Sequence, residues 1–281
     1  MLRALVVAVV VALGACGASK AACPAIPQVE AGPPFLWRVQ KPGGPVVWLY
    51  GTIHDASIDD VPPRALEALA SAPRFASELG DREPDKDRFR ELARIARGPG
   101  IDTQLGDDWW DLRDALRDRI REDDLRRARP WYALILLNRR AAPRVVAMDA
   151  TLGDRARARG TPVEALEAPE DQLAALDAIV TVEDLRAAVR ARNTTSCEYT
   201  RLVAAYRAGD VVALEPMLVV PRSAETLLYA RNRRWLPTLE NYLAGDGAFV
   251  AVGLGHMLGE QGLPALLVEA GFTVERVGVE R

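Results

Sequence analysis

The chain has only two histidines in 281 residues, and aromatic residues make up just 6% of it. It has no basic surplus, since 36 Lys and Arg stand against 39 Asp and Glu for a formal charge of −3. Nucleic-acid binders normally gather excess positive charge on one face, so nucleic acid is not an expected partner. Beyond the first residues no apolar run reaches the length of a membrane span. There is no His-Glu-x-x-His helix, serine nucleophile elbow, phosphate-binding loop or Gly-x-Gly-x-x-Gly fingerprint. The standard zincin, serine-hydrolase and nucleotide-binding mechanisms are therefore disfavoured. What is present, 49% hydrophobic and 27% charged residues, is enough for one large core.

The first residues read as an address. Arg3 precedes the apolar stretch Ala4 to Leu13, and Gly14-Ala15-Cys16 supplies a small-residue junction, so residues 1–15 are expected to be a signal peptide. Leu13-Gly14-Ala15-Cys16 resembles a bacterial lipobox, which would make Cys16 a lipidated N-terminus and residues 16–34 a proline-containing tether. With no aspartate directly after Cys16, the expected location is extracytoplasmic, on the periplasmic face of the outer membrane. The alternative is a soluble secreted or periplasmic protein cut near Ala21-Ala22. Lipidation leaves Cys23 and Cys197, which are expected to form a disulfide in an oxidising compartment.

Two strands, Phe35 to Val39 and Val46 to Tyr50, flank Lys41-Pro42-Gly43-Gly44-Pro45 and predict a hairpin. Pro62-Pro63 opens a helix that stops before Pro73, and Arg74 to Leu79 reads as a strand, completing a βαβ unit. Alternating Arg and Asp from about Lys86 to Asn138 predict charged helices with an apolar stripe, a packing insertion or lid. A short strand is expected at Pro162 to Glu167. Strand Ala248 to Val252, a helix near 262–271 and strand Phe272 to Val277 form a second βαβ unit. The fold class is therefore α/β, a mixed sheet built from N- and C-terminal βαβ units. A large helical insertion, about 86–245, lies within one domain spanning 35–281.

His54 and His256 both follow an apolar strand and sit three residues after a glycine, in Gly51-Thr52-Ile53-His54 and Gly253-Leu254-Gly255-His256. Sites in open α/β sheets form beyond the carboxyl ends of strands, where both fall. Glycine at a strand exit is expected to permit a backbone turn barred to other residues. Glu78 and Glu167 also end apolar strands, and a carboxylate there is costly unless paired, metal-bound or wet. Asp149 ends an apolar run too, but suits the N-cap of the next helix equally well. Two imidazoles and one or two carboxylates suit a divalent ion such as Mn, Co, Zn or Fe.

Several motifs, taken together and in order, resemble the TraB/GumN/PrgY family. They are Leu36-Trp37-Arg38-Val39, Leu49 to His54, Glu78-Leu79, Pro130-Trp131, Asp149, Pro162 to Glu167 with Gln172, Arg231-Asn232-Arg233-Arg234-Trp235, Val252 to Gly259 and Gly262 to Leu267. The resemblance implies an α/β fold shared with erythromycin-esterase-like and ChaN-like proteins. Its Tiki branch implies a metal-dependent peptidase with His54, Glu78 and His256 as ligands. On that reading the substrate is a peptide or small envelope component. Glu167 is a second carboxylate acting as ligand or base, Arg231 or Arg233 an oxyanion stabiliser, and Asn232 an orienting group. The same Arg-Asn-Arg-Arg run could instead be a solvated helix face. Two alternatives remain open: a metal-independent esterase-like hydrolase using His54 beside Glu78, and a non-enzymatic binder of a peptide or envelope component.

Overall fold

The computed structural model describes residues 23, 31–54, 56–142 and 146–279. The leader assigned to residues 1–15, Cys16 and most of the tether lie outside the described residues. Strands β1 (Leu36–Gln40) and β2 (Val47–Thr52) form the expected antiparallel hairpin, with Leu36 opposite Tyr50 and Val39 opposite Val47. Its turn follows the chemistry of Pro42-Gly43. Proline presets the first central position, Gly43 takes the second at φ +70°, and the Gly44 N–H donates to Lys41 O at 2.9 Å. Helix α1 (Pro63–Ser71) opens on proline at its first position and ends before Pro73, as its sequence requires.

The remaining strands are β3 (Phe75–Ser77), β4 (Val163–Ala165), β5 (Ala248–Gly253) and β6 (Thr273–Arg276). They make one six-stranded mixed sheet in the order β4-β3-β5-β2-β1-β6. β4, β3, β5 and β2 run parallel, whereas β1 is antiparallel to both β2 and β6. The α/β class is as the sequence predicts, but the two βαβ units interleave. β2 and β3 are not neighbours, because β5 pairs with both, setting Tyr50 against Ala251 and Ala76 against Val250. The physical reason is burial. All but the last residue of β5 is buried, and such a strand belongs at the centre of a sheet covered on both faces.

The stretch assigned to a helical insertion is divided by β4, which joins the sheet edge. Helices α2 (Lys86–Leu92), α3 (Ile101–Leu105), α4 (Asp108–Leu116), α5 (Glu122–Arg126) and α6 (Pro130–Ala141) form a unit with α8 (Pro169–Ile179) and α9 (Val182–Ala191). They close around their own core of Ile101, Leu112, Leu116, Leu125 and Trp131. Helix α7 (Met148–Ala158) and helices α10 (Thr195–Arg207), α11 (Val211–Leu218) and α13 (Ala230–Ala244) instead join the core of the sheet. A short helix α12 (Pro221–Ala224) and a π-helical turn (Glu225–Tyr229) lead into α13, and α14 (Leu263–Glu269) precedes β6. Cys23 is disulfide-bonded to Cys197 of α10 with Cα atoms 5.2 Å apart, which bears out that pairing. Among the described residues no helix is long and apolar enough to cross a membrane.

Candidate active site

Because β4, β3, β5 and β2 are parallel, their carboxyl ends open on one edge of the sheet. That edge receives Glu167 from β4, Glu78 from β3, His256 from β5 and His54 from β2. All four are buried. The motif glycines serve a different purpose from the one expected. Neither Gly51 nor Gly253 has a positive φ. They provide room instead: a Cβ on Gly253 would stand 3.0 Å from His54 Nε2 and 3.4 Å from Glu78 Oε1. A Cβ on Gly51 would meet Leu254 Cδ1 at 2.6 Å.

Glu78 is the hub. Its Oε1 accepts from the Gly253 N–H at 2.9 Å, and its Oε2 accepts from Gln172 Nε2 at 2.9 Å and Arg231 Nη2 at 2.5 Å. Burial alone would push this carboxyl up. The opposite charge of Arg231, the two imidazoles and the Gly253 N–H outweigh burial and hold it well below the usual carboxylate range. The Arg231 guanidinium also grips Glu167 with two bonds, Nε to Oε2 at 3.0 Å and Nη2 to Oε1 at 2.5 Å. For Glu167 burial wins over that contact, and its carboxyl is raised.

Each imidazole is oriented from behind. His54 Nδ1 donates to Asp149 Oδ2 at 2.6 Å, and the other Asp149 oxygen accepts from Thr52 Oγ1 at 2.5 Å. The Asn232 amide nitrogen donates to the backbone carbonyls of His256 and Gln261, at 3.1 and 2.9 Å. Its carbonyl oxygen therefore faces His256 Nδ1 at 2.6 Å and must accept from it. The Nε2 lone pair of His256 in turn accepts from Arg231 Nη1 at 3.1 Å. His256 is neutral in this arrangement, because burial and the adjacent Arg231 charge push its pKa down to about 3 against the pull of Glu78. Trp235 packs on its ring at 4.5 Å between centroids.

The structure therefore brings together His54, Glu78, Glu167, Arg231, Asn232 and His256. Arg233 is a correction. It is exposed on the far side of α13 and donates to Gln261 Oε1 at 2.6 Å and to Glu225, away from the cleft. Successive helical residues turn by about 100°, so two positions on from Arg231 the side chain faces nearly the opposite way. Asn232 holds His256, and neither it nor Glu167 lines the cleft; Glu167 is engaged by Arg231 and Gln172, which do. Asp149 is not the N-cap of α7, which falls at Ala147, and lies in the helix's first turn. Its partnership with His54 is a role the candidate set omitted, as it omitted Gln172. The acid ending an apolar run was the available signal for Asp149, and the residue's helix-capping chemistry obscured it.

The cleft has about 90 Å³ of internal space. Its floor is His54, Glu78, Arg231 and His256, and its walls are apolar, including Leu176, Met217, Leu218, Leu227, Leu228 and Leu254. Among the described residues no group of three or more His, Cys, Asp or Glu side chains already stands in position to hold a metal ion. The donors nevertheless fit one chemically. Glu78 Oε1 is 3.8 Å from Nε2 of His54 and 3.8 Å from Nε2 of His256. Ligands about 2.1 Å from a tetrahedral ion stand roughly 3.4 Å apart, so each imidazole is within a few tenths of an ångström of ligand spacing from Glu78 Oε1. Three carboxyl groups, Glu78, Glu167 and Asp149, stand on or beside these donors with Arg231 among them, a surplus of acidic groups that suits a divalent cation.

The profile of the TraB/PrgY/gumN family matches residues 35–276. No curated protein and no solved structure matches the chain.

Proposed function

Because the chain belongs to the TraB/PrgY/gumN family, we propose that the strand-end cleft is the active site of a divalent-metal-dependent hydrolase acting on peptides. One observation carries this reading. Two histidines present Nε2 to the same oxygen of Glu78, and each is backed at Nδ1 by an acceptor, Asp149 or Asn232. That arrangement fixes a histidine tautomer for ligation.

His54, Glu78 and His256 would hold the ion. The ion supplies Lewis acidity, which lowers the pKa of bound water and polarises the scissile carbonyl. Glu167, its carboxyl raised by burial, is the base that takes the water proton and passes it to the leaving amine. All five N–H groups of Arg231 are engaged, so it would steady the charge that develops on the carbonyl oxygen with the Nη1 proton now given to His256. The apolar walls seat an uncharged group of the substrate and keep bulk water from the floor.

A second reading drops the metal. The 2.6 Å His54–Asp149 pair is an oriented imidazole with Nε2 towards the cleft, which suits a general base acting on water for ester hydrolysis. Chelation separates the two. Hydrolysis of a fluorogenic peptide library should vanish in EDTA, return with added Mn²⁺ or Zn²⁺, and be absent in His54→Ala. Full activity in EDTA overturns the metal reading, and saturable peptide binding without turnover in metal-replete protein overturns both.

The proposed leader and Cys16 anchor would place this activity at the periplasmic face of the outer membrane, on peptides or small envelope components. Metabolic labelling with palmitate should mark the wild type and not Cys16→Ser; equal labelling sinks the anchor.

A further inference from the structure

We propose that Arg231 is a built-in counter-cation that closes the metal-free site and surrenders His256 to an incoming ion while keeping its hold on Glu167. This rests on the metal-dependent reading above. Arg231 is buried and makes five hydrogen bonds. It forks onto both oxygens of Glu167, reaches Glu78 Oε2 through Nη2, and donates from Nη1 to Leu227 O at 2.7 Å and His256 Nε2 at 3.1 Å.

Only the last contact conflicts with a metal ion. The Nε2 lone pair of His256 is tied either to a guanidinium proton or to a metal, because Asn232 has already claimed the Nδ1 proton. The contact on Glu78 does not conflict. Arg231 occupies Oε2, whereas Oε1, on the opposite branch, faces both imidazoles. Glu167 can retain the guanidinium through a two-point fork, the strongest pairing available to arginine. Leu227 O holds Nη1 from within the π-helical turn Glu225–Tyr229, and such turns often mark functional positions. Loading therefore needs the planar guanidinium to tilt about its fork on Glu167, carrying Nη1 off His256 Nε2.

Charge acts in the same direction. Arg231 sets its positive charge directly against Glu78 and Glu167, and so weakens their attraction for a dication. Deleting its charge should strengthen metal binding, even though it leaves two buried carboxylates without their partner. A purely structural ion pair, or a group acting only on the transition state, predicts the opposite sign or no change.

The test is calorimetric titration of the metal-stripped full chain with Mn²⁺ alone and with Zn²⁺ alone, for wild type, Arg231→Met and Arg231→Lys. Removing a charge-assisted hydrogen bond from His256 should tighten Kd by roughly ten- to a hundredfold in Arg231→Met. Arg231→Lys, which keeps the charge but lacks the fork, should fall in between. Saturating Mn²⁺ should also raise the Tm of Arg231→Met by more than it raises that of the wild type. Unchanged or weaker binding in the variants overturns the inference and leaves the metal reading standing. If Arg231→Met does not fold without metal, the sign of the change in Arg231→Lys decides. No binding of either ion by any of the three proteins overturns the metal reading itself, and this inference with it.

Discussion

Acidification of the metal-free protein offers a direct measure of His256. An unfolded histidine titrates near pH 6.5, whereas burial and the Arg231 guanidinium push the folded group down to about 3. Between those values the unfolded chain binds a proton that the folded chain refuses, so acid favours unfolding. The stability tied to neutral His256 is thus fully present above about pH 6.5 and is lost progressively as pH falls towards 3. Roughly three and a half units amount to about 5 kcal/mol across the window, of which about 2 kcal/mol falls between pH 7 and pH 5. The depressed Glu78 carboxyl adds its own loss only below the ordinary carboxylate range, so measurements should stop at pH 5. Urea unfolding in EDTA at pH 7, 6 and 5 should show the wild type losing about 2 kcal/mol more than His256→Gln, which cannot take up the proton. Taking the difference between the two proteins cancels Glu167, whose raised carboxyl works in the opposite direction. Parallel pH profiles would refute a neutral His256 locked between Asn232 and Arg231.

Asp149→Ala removes the carboxylate that accepts from His54 Nδ1, and should weaken Mn²⁺ binding or lower kcat/KM by about 10- to 100-fold; an effect under twofold removes Asp149 from the site. Gly253→Ala puts a methyl group 3.0 Å from His54 Nε2, at a position whose backbone is ordinary for alanine. It should cut hydrolysis at least tenfold while moving Tm little, and normal turnover would mean the gap between His54 and Glu78 is not used. Arg233→Ala removes only exposed contacts to Glu225 and Gln261, so stability should change by no more than about 0.5 kcal/mol and turnover should hold. A large loss of turnover would return Arg233 to the site.

How far the site could be read from sequence follows from the range of each signal. An ionisable residue that ends an apolar strand is a local anomaly, because burial penalises its charge, and four such anomalies marked His54, Glu78, Glu167 and His256 without knowledge of their neighbours. Strand order carries no local mark. Nothing within Phe75-Ala76-Ser77 states that β5, some 170 residues later, will separate it from β2; only the near-complete burial of β5 decides that, and burial belongs to the assembled sheet. Asp149 lies between these cases. An acid in the first turn of a helix already has a sufficient explanation in the helix dipole, and only an imidazole 95 positions away distinguishes the two roles. Arg233, by contrast, could have been set aside from sequence alone. Trp235, Leu239 and Tyr242 recur at helical spacing, and extending that buried stripe back by one turn reaches Arg231 and leaves Arg233 on the opposite face. The choice between the two arginines therefore turned on the period of α13, which needs no knowledge of any tertiary contact.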